Sequence, residues 1–436
     1  MLVIANTQDI GRMEWWKNFD NNFIVKKVDN KIIVKYNLNV VFNMEVIMAV
    51  NTTIGHPARG DEYFERPQLT GKLWEKIQAS SSVLLAAPRR VGKSSILFYF
   101  LDHPYNKYRL TYIDTESVNN EDEFFKKLFY HITDTLTKIK RYSKIAAYFT
   151  KDLAARVDSI GKVGISIGDS RLNYFNEFLK LIKSLALKGD RLIIMIDEFA
   201  ETVQNIIKDE GEREAVHFLQ SNRTLRMMPE INKKIQFIFA GSIGLENIVA
   251  ALNAPGTIND LYSFHIPTFT RTEAKNLALK LIEGTGYVLE NDKIEYMLNK
   301  IEWLIPFYIQ LIIDEIDKLE FKERTKIITE KEIDTAFFQS LEHRNYFDNW
   351  HTRLRRAYKG NDYTFTKELL NNVSENVTIT SGEILDMAVK FGIEYGYVNI
   401  LNGLKYDGYI NNHDDPKVYR FNSPLLKMWW YKNVAN

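Results

Sequence analysis

Four stretches of strand length are almost wholly apolar: residues 83–86, 110–113, 192–196 and 235–240. A strand with one face in water alternates apolar and polar residues, so runs of this kind fit a sheet covered on both faces. Between them lie glycine turns and segments of helical spacing, the pattern of parallel strands joined by crossover helices. A fifth short strand is expected at 263–267, where Pro267 marks an edge or a strand end. The expected fold class is therefore α/β, a parallel sheet flanked by helices. The glycine-spaced segment 161–168 reads as an inserted hairpin.

A chain of 436 residues has room for two or three cores. Residues 1–47 form an N-terminal extension, read either as an accessory hairpin with a strand at 31–36 or as a segment outside the native fold. A compact domain is expected over 48–269. Thr270 and Glu273 then have capping-box spacing in front of the apolar run 274–282. A helical subdomain, 270–341, begins there and continues through 294–321 and 330–341. The final part, 342–436, shows helical spacing at 346–358, 366–373, 382–391 and 397–404, then two strands within 409–421 joined by the polar turn 411–416. Three helices followed by a hairpin is the winged-helix order.

The chemistry concentrates where the first apolar run ends. Gly92-Lys93-Ser94 follows that strand through a loop of Ala87, Pro88, Arg89, Arg90 and Val91, and with Ser95 it opens a helix. Backbone N–H groups at such a helix start converge on one point and the helix dipole adds positive potential, which selects phosphate. Lys93 would reach the β and γ phosphates of a nucleotide, and the Ser94 hydroxyl would bind Mg²⁺. Ala87 stands where the usual pattern has its first glycine, and alanine fits there without strain only at negative φ. A chance glycine-lysine-serine helix start is the competing reading.

The run 192–196 ends abruptly in Asp197 and Glu198. At the carboxyl end of a parallel strand these carboxylates face the ligand crevice. Asp197 would hold Mg²⁺, and Glu198 would orient and deprotonate an attacking water. Their place about a hundred residues after the loop suits a sheet with another strand inserted between the two. Ser242, after the fourth run, is the candidate sensor of the γ-phosphate, although Gly241-Ser242 also reads as an ordinary turn.

Together these residues resemble the prokaryotic archaeal-type P-loop ATPases of the AAA+ and STAND class, related to origin-recognition-type initiators. The similarity is carried by Phe64-Glu65-Arg66-Pro67, by the loop from Leu84 to Ser94, by Asp197-Glu198 and Gly241-Ser242, by Trp303-Leu304-Ile305-Pro306-Phe307, and by the terminal Tyr419-Arg420-Phe421-Asn422-Ser423-Pro424. It implies ATP as the nucleotide, a helical lid at 270–341 and a winged helix at 342–436. It also places Tyr63, Phe64 and Arg66 against the adenine and ribose, and Pro306 where the lid touches the nucleotide. Tyr63 and Phe64 read equally as a hydrophobic staple for a helix at 69–77. The stretch 228–269 contains no arginine and the segment around Pro306 lacks a sensor arginine, which favours a switch over a ring motor. Arg223 and Arg226 could compensate, with surface ion pairing as the other reading.

Lysine and arginine number 57 against 56 aspartates and glutamates, so no global field draws the chain to nucleic acid. There is no cysteine and the eight histidines are scattered, which leaves no thiolate or histidine metal cluster to expect. No apolar run is long enough for a membrane anchor, and a cytoplasmic location is expected. Two functions stay open. One is a slow or partner-activated ATPase that acts as a switch on a protein partner, as a monomer or a homo-oligomer. The other is a DNA-binding ATPase in replication, transposition or defence against mobile elements, using a helix at 397–405, Lys405, Lys417 and Arg420, with Arg353, Arg355 and Arg356 as a basic cluster. Asp414 and Asp415 on the wing count against DNA.

Overall fold

The computed structural model describes residues 23–28, 31–36, 40–44, 52–79, 81–162, 172–241, 244–283, 285–319, 326–412 and 414–435. The chain forms two compact units, one of residues up to Phe64 together with 269–346, the other of residues 65–268 together with 347–436.

In the first unit, β1 (Phe23–Val28), β2 (Lys31–Tyr36) and β3 (Val40–Met44) make an antiparallel meander, with Val25 opposite Val34 and Val34 opposite Phe42. The strand expected at 31–36 is the central β2. Four helices follow, at Arg271–Ile282, Asn291–Ile301, Pro306–Asp317 and Glu330–Ser340. The capping box is present: Glu273 N–H donates to the Thr270 hydroxyl at 3.2 Å, and Thr270 N–H donates to Glu273 Oε2 at 2.8 Å. The helical stretch 294–321 contains a break between two helices. Glu302 turns the chain at φ +55°, Trp303 and Ile305 are buried in the break, and Pro306, which has no N–H to give, starts the next helix.

The second unit is built on a five-stranded parallel sheet of β4 (Val83–Ala86), β5 (Tyr108–Asp114), β6 (Arg191–Asp197), β7 (Ile235–Ala240) and β8 (Tyr262–His265), in the order β5-β6-β7-β4-β8. All residues of β4 and β7 are buried, as their continuous apolar runs require. One of the two edge strands is β8, and Pro267 lies beyond its end. The rings of Phe124, Phe199, Phe218 and Phe239 interlock over β6 and β7, with Phe199 and Phe239 centred 4.5 Å apart. The helix Ser143–Lys162 takes in Gly161, so no hairpin starts there, and residues 163–171 of that expectation lie outside the described residues.

The C-terminal region of the same unit has helices at Arg344–Ala357, Gly360–Glu375, Ser381–Lys390 and Tyr397–Asp407. A hairpin of Ile410–Asn411 and Val418–Phe421 follows, and Ile379–Thr380 pairs on its other edge. A closing helix, Pro424–Asn433, buries Trp429 and Trp430 and was not foreseen. Among the described residues no helix is long and apolar enough to cross a membrane.

Candidate functional site: a phosphate loop beside a strand-end carboxylate pair

The strand β7 lies between β4 and β6, so the loop after β4 and the carboxylates after β6 emerge on the same side of the sheet, one strand apart. The loop turns through left-handed residues at Arg90, φ +65°, and Gly92, φ +97°, before the helix Lys93–Asp102 begins. Ala87 keeps a negative φ, which is why alanine serves where glycine is usual. Lys93 is buried, and its Nζ donates to the carbonyls of Ala87 and Pro88 at 2.8 Å each. Burial lowers its pKa to about 8, against the opposing pull of the Glu198 and Asp197 carboxylates. Arg89 is likewise held below its ordinary value, first by burial and then by the Arg353 guanidinium.

Ser94 Oγ donates to Asp197 Oδ2 at 2.6 Å, joining the two halves of the site. The same oxygen accepts from Tyr112 Oη at 3.0 Å, and Oδ1 accepts from Glu198 N–H at 3.1 Å. Burial pushes the Asp197 carboxyl up, while the Ser94 hydrogen bond opposes the shift. Tyr112 was missed in the sequence. It sits on β5, and nothing in the chain order reveals that β5 is the neighbour of β6. A hydroxyl and a carboxylate at this separation are hard oxygen ligands, the set that suits Mg²⁺ when phosphate oxygens and water complete its shell.

Glu198 caps the helix Phe199–Asp209 in the left-handed region, φ +54°. Its Oε2 lies beside the end of β7, 3.8 Å from where a side chain on Gly241 would begin. Ser242 lies outside the described residues. Arg66, in this unit, is buried and gives its guanidinium to the carbonyls of Pro267 and Thr268 at 3.0 and 3.2 Å. Tyr63, Phe64 and Pro306 belong to the other unit. There the Phe64 ring packs on Phe269 at 5.4 Å under the Lys280 ammonium, and Pro306 opens its helix.

The C-terminal region reaches the phosphate loop. The Tyr406 hydroxyl is hydrogen-bonded to the Ala87 backbone, and its ring lies against Gly244, where an added Cβ would come within 3.0 Å of it. The next residue, Asp407, has an enclosed Oδ1 without a hydrogen-bond partner among the described residues. Burial pushes its pKa up to about 7, opposed by Arg353 and Lys93. Tyr409 Oη donates to the Trp350 carbonyl at 2.6 Å and fixes this corner to the helix Arg344–Ala357.

Of the three arginines expected as a basic cluster for DNA, Arg355 and Arg356 are exposed and Arg353 is half-buried. Arg353 and Arg356 each approach Glu201 at 3.9 Å, and Arg355 Nε donates to Tyr363 Oη at 3.3 Å. The surface reading of Arg226 is corrected. Its side chain is 2% exposed and forms a two-pronged pair with Asp260 at 2.6 and 2.9 Å.

No family model matches the chain, and no curated protein matches it. Among solved structures, the Walker-type ATPase of Pyrococcus abyssi superposes with a TM-score of 0.58 at 16% identity, over 87% of this chain and 99% of that one. The chain has the fold of a Walker-type ATPase. Similar at lower scores are the Orc2 protein of Aeropyrum pernix, with TM-score 0.47, 11% identity and coverage of 84% and 92%, and Cdc6p of Pyrobaculum aerophilum, with TM-score 0.43, 14% identity and coverage of 88% and 98%. In this chain the loop, Asp197 and Glu198 stand together in the unit that carries the parallel sheet.

Proposed function

We propose that the chain binds ATP at residues 87–95 and hydrolyses it with Mg²⁺, as a switch with slow or partner-activated turnover. The observation that carries this is the 2.6 Å hydrogen bond from Ser94 to Asp197, which brings the phosphate-loop hydroxyl to the strand-end carboxylate. ATP would draw the Lys93 ammonium off the Ala87 and Pro88 carbonyls and onto the β and γ phosphates. Mg²⁺, held by Ser94 and Asp197, supplies charge neutralisation at the phosphate oxygens when bound. Glu198 takes a proton from water as the water oxygen bonds to the γ phosphorus. The bond to the bridging oxygen breaks, and its electron pair stays on ADP.

Ser242 is proposed as the γ-phosphate sensor, and Tyr63, Phe64, Arg66 and Pro306 as the nucleoside contacts. In this reading residues 48–269 are the ATPase domain, 270–341 the lid and 342–436 a winged helix, the last two moving with nucleotide state. The Tyr406 contact with Ala87 at the loop supports a switch, since a nucleotide seated there would alter it. One observation favours the DNA-binding alternative: Val398, Asn399, Asn402 and Lys405 are exposed along the helix Tyr397–Asp407. The deciding experiment measures Mg²⁺-dependent turnover and bound nucleotide for the wild type, Glu198→Gln and Lys93→Ala. Turnover should vanish in both variants while Glu198→Gln retains nucleotide, and a wild type that neither binds nor turns over ATP would refute the assignment.

A further inference from the structure

Arg353 has unspent capacity in an unusual place. Its side chain is 18% exposed and always charged, yet its only close partner is Glu201 Oε2 at 3.9 Å, and among the described residues it makes no hydrogen bond. Glu201 Oε2 and Asp407 Oδ1, the acceptors around it, are likewise enclosed without hydrogen-bond donors. Buried charges are ordinarily satisfied at hydrogen-bond distance, so a guanidinium held only by looser ion pairing is prepared for a better acceptor.

The position of Arg353 identifies that acceptor. Glu201 lies one helical turn after Glu198, on the same face of the helix Phe199–Asp209. The Arg353 charge also acts on Arg89 of the phosphate loop, which burial and then that charge hold below its ordinary value. Arg353 thus stands against the helix that begins at the catalytic carboxylate, and its charge is felt at Arg89 of the loop. Like charges gathered in a partly dry site repel unless an anion joins them, and a polyphosphate is the anion such a set fits.

Resting on the proposed ATPase reading, we propose that Arg353, carried by the C-terminal region of the same chain, contacts the γ-phosphate of bound ATP and stabilises the charge of its transfer. Glu201 holds the guanidinium when no γ-phosphate is present. ATP draws it away and ADP does not, so the C-terminal region distinguishes the two nucleotides through one side chain. The sequence offers no arginine over 228–269, and this residue supplies from within the chain what a neighbouring subunit would otherwise bring.

The test compares wild type, Arg353→Ala, Arg353→Lys and the charge-balanced Arg353→Gln/Glu201→Gln, with ATP and ADP affinities read by fluorescent analogues and turnover in steady state. Arg353→Ala and the double variant should keep their ADP affinity, lose the preference for ATP over ADP, and turn over about 10³-fold more slowly. Arg353→Lys should recover part of that preference. Wild-type turnover and ATP preference in Arg353→Ala would overturn the proposal. So would recovery in the double variant, because Arg353 would then serve only as the counter-ion of Glu201. A wild type that binds neither nucleotide, indistinguishable from Lys93→Ala, overturns the ATPase reading and this inference together, whereas a wild type that binds and turns over ATP with Arg353→Ala equal to it overturns this inference alone.

Discussion

Replacing Arg226 by methionine should destabilise the second unit strongly and leave its chemistry intact. The guanidinium makes three short hydrogen bonds, to Asp260 at 2.6 and 2.9 Å and to the Thr257 carbonyl at 2.6 Å, and lies 5.4 Å from the centre of the Phe239 ring on β7. Methionine fills much of the volume but strands the Asp260 carboxylate, whose side chain is 15% exposed. Removing one partner of a buried ion pair costs about 3–5 kcal/mol. At roughly 2–4 °C per kcal/mol for a unit of this size, the melting midpoint should fall by roughly 6–20 °C. Arg226→Met/Asp260→Leu removes the stranded charge too, and should be more stable than the single variant by about 2 kcal/mol or more. Thermal melting gives the first number and urea denaturation the second, and turnover at a temperature well below both melting midpoints tests the chemistry. A single variant with an unchanged midpoint would refute the energetic argument. A folded variant with an order-of-magnitude loss of turnover would instead return Arg226 to the nucleotide site.

Asp407→Asn tests the cover over the phosphate loop through pH. The native Asp407 carboxyl, pushed up to about 7 from an ordinary 3.8, keeps its proton through a range where the unfolded chain has lost it. The native state therefore binds more protons there, and this contribution to stability is full below about pH 4 and lost as pH rises through about 7. Asp407→Asn should gain stability relative to wild type between pH 5 and 8, measured as urea midpoints, and a pH-independent difference would refute the assignment. In the first unit, Thr270→Ala removes the hydroxyl of the capping box and should cost about 1 kcal/mol, with faster amide exchange at the start of the helix Arg271–Ile282. Thr270→Ser should retain most of the protection.

The parts of the site that lie close in sequence were legible without a structure. The loop 87–95 and the pair Asp197-Glu198 each end a continuous apolar run, and a run buried on both faces announces its strand in composition alone. The capping box of Thr270 and Glu273 was equally plain, because its two residues are three apart. What sequence could not give was adjacency. The hydrogen bond of Tyr112 to Asp197 depends on β5 pairing with β6, and neither strand carries a mark of its neighbour. The three arginines at 353, 355 and 356 read as one basic patch because they are close in the chain. Helical geometry and the position of Glu201 turn two of them toward that carboxylate and the third toward Tyr363. Arg226 read as a surface residue because its partner, Asp260, lies on the far side of β7 in the chain order. The break at Glu302 within the helical stretch 294–321 was not legible, since a left-handed non-glycine residue has no composition signal.

The phosphate loop and the residues that cover it, Tyr406 and Asp407, belong to one compact unit but come from distant parts of the chain, with residues 269–346 folding apart between them. A chain emerging from the ribosome folds its early segments before its late ones exist. The loop after β4 is therefore made, and open to the nucleotide pool, while the helix Tyr397–Asp407 has yet to be synthesised. Synthesis thus sets an order of assembly: the loop is formed before the residue that closes on it exists, whereas in the finished chain Tyr406 already stands on Ala87.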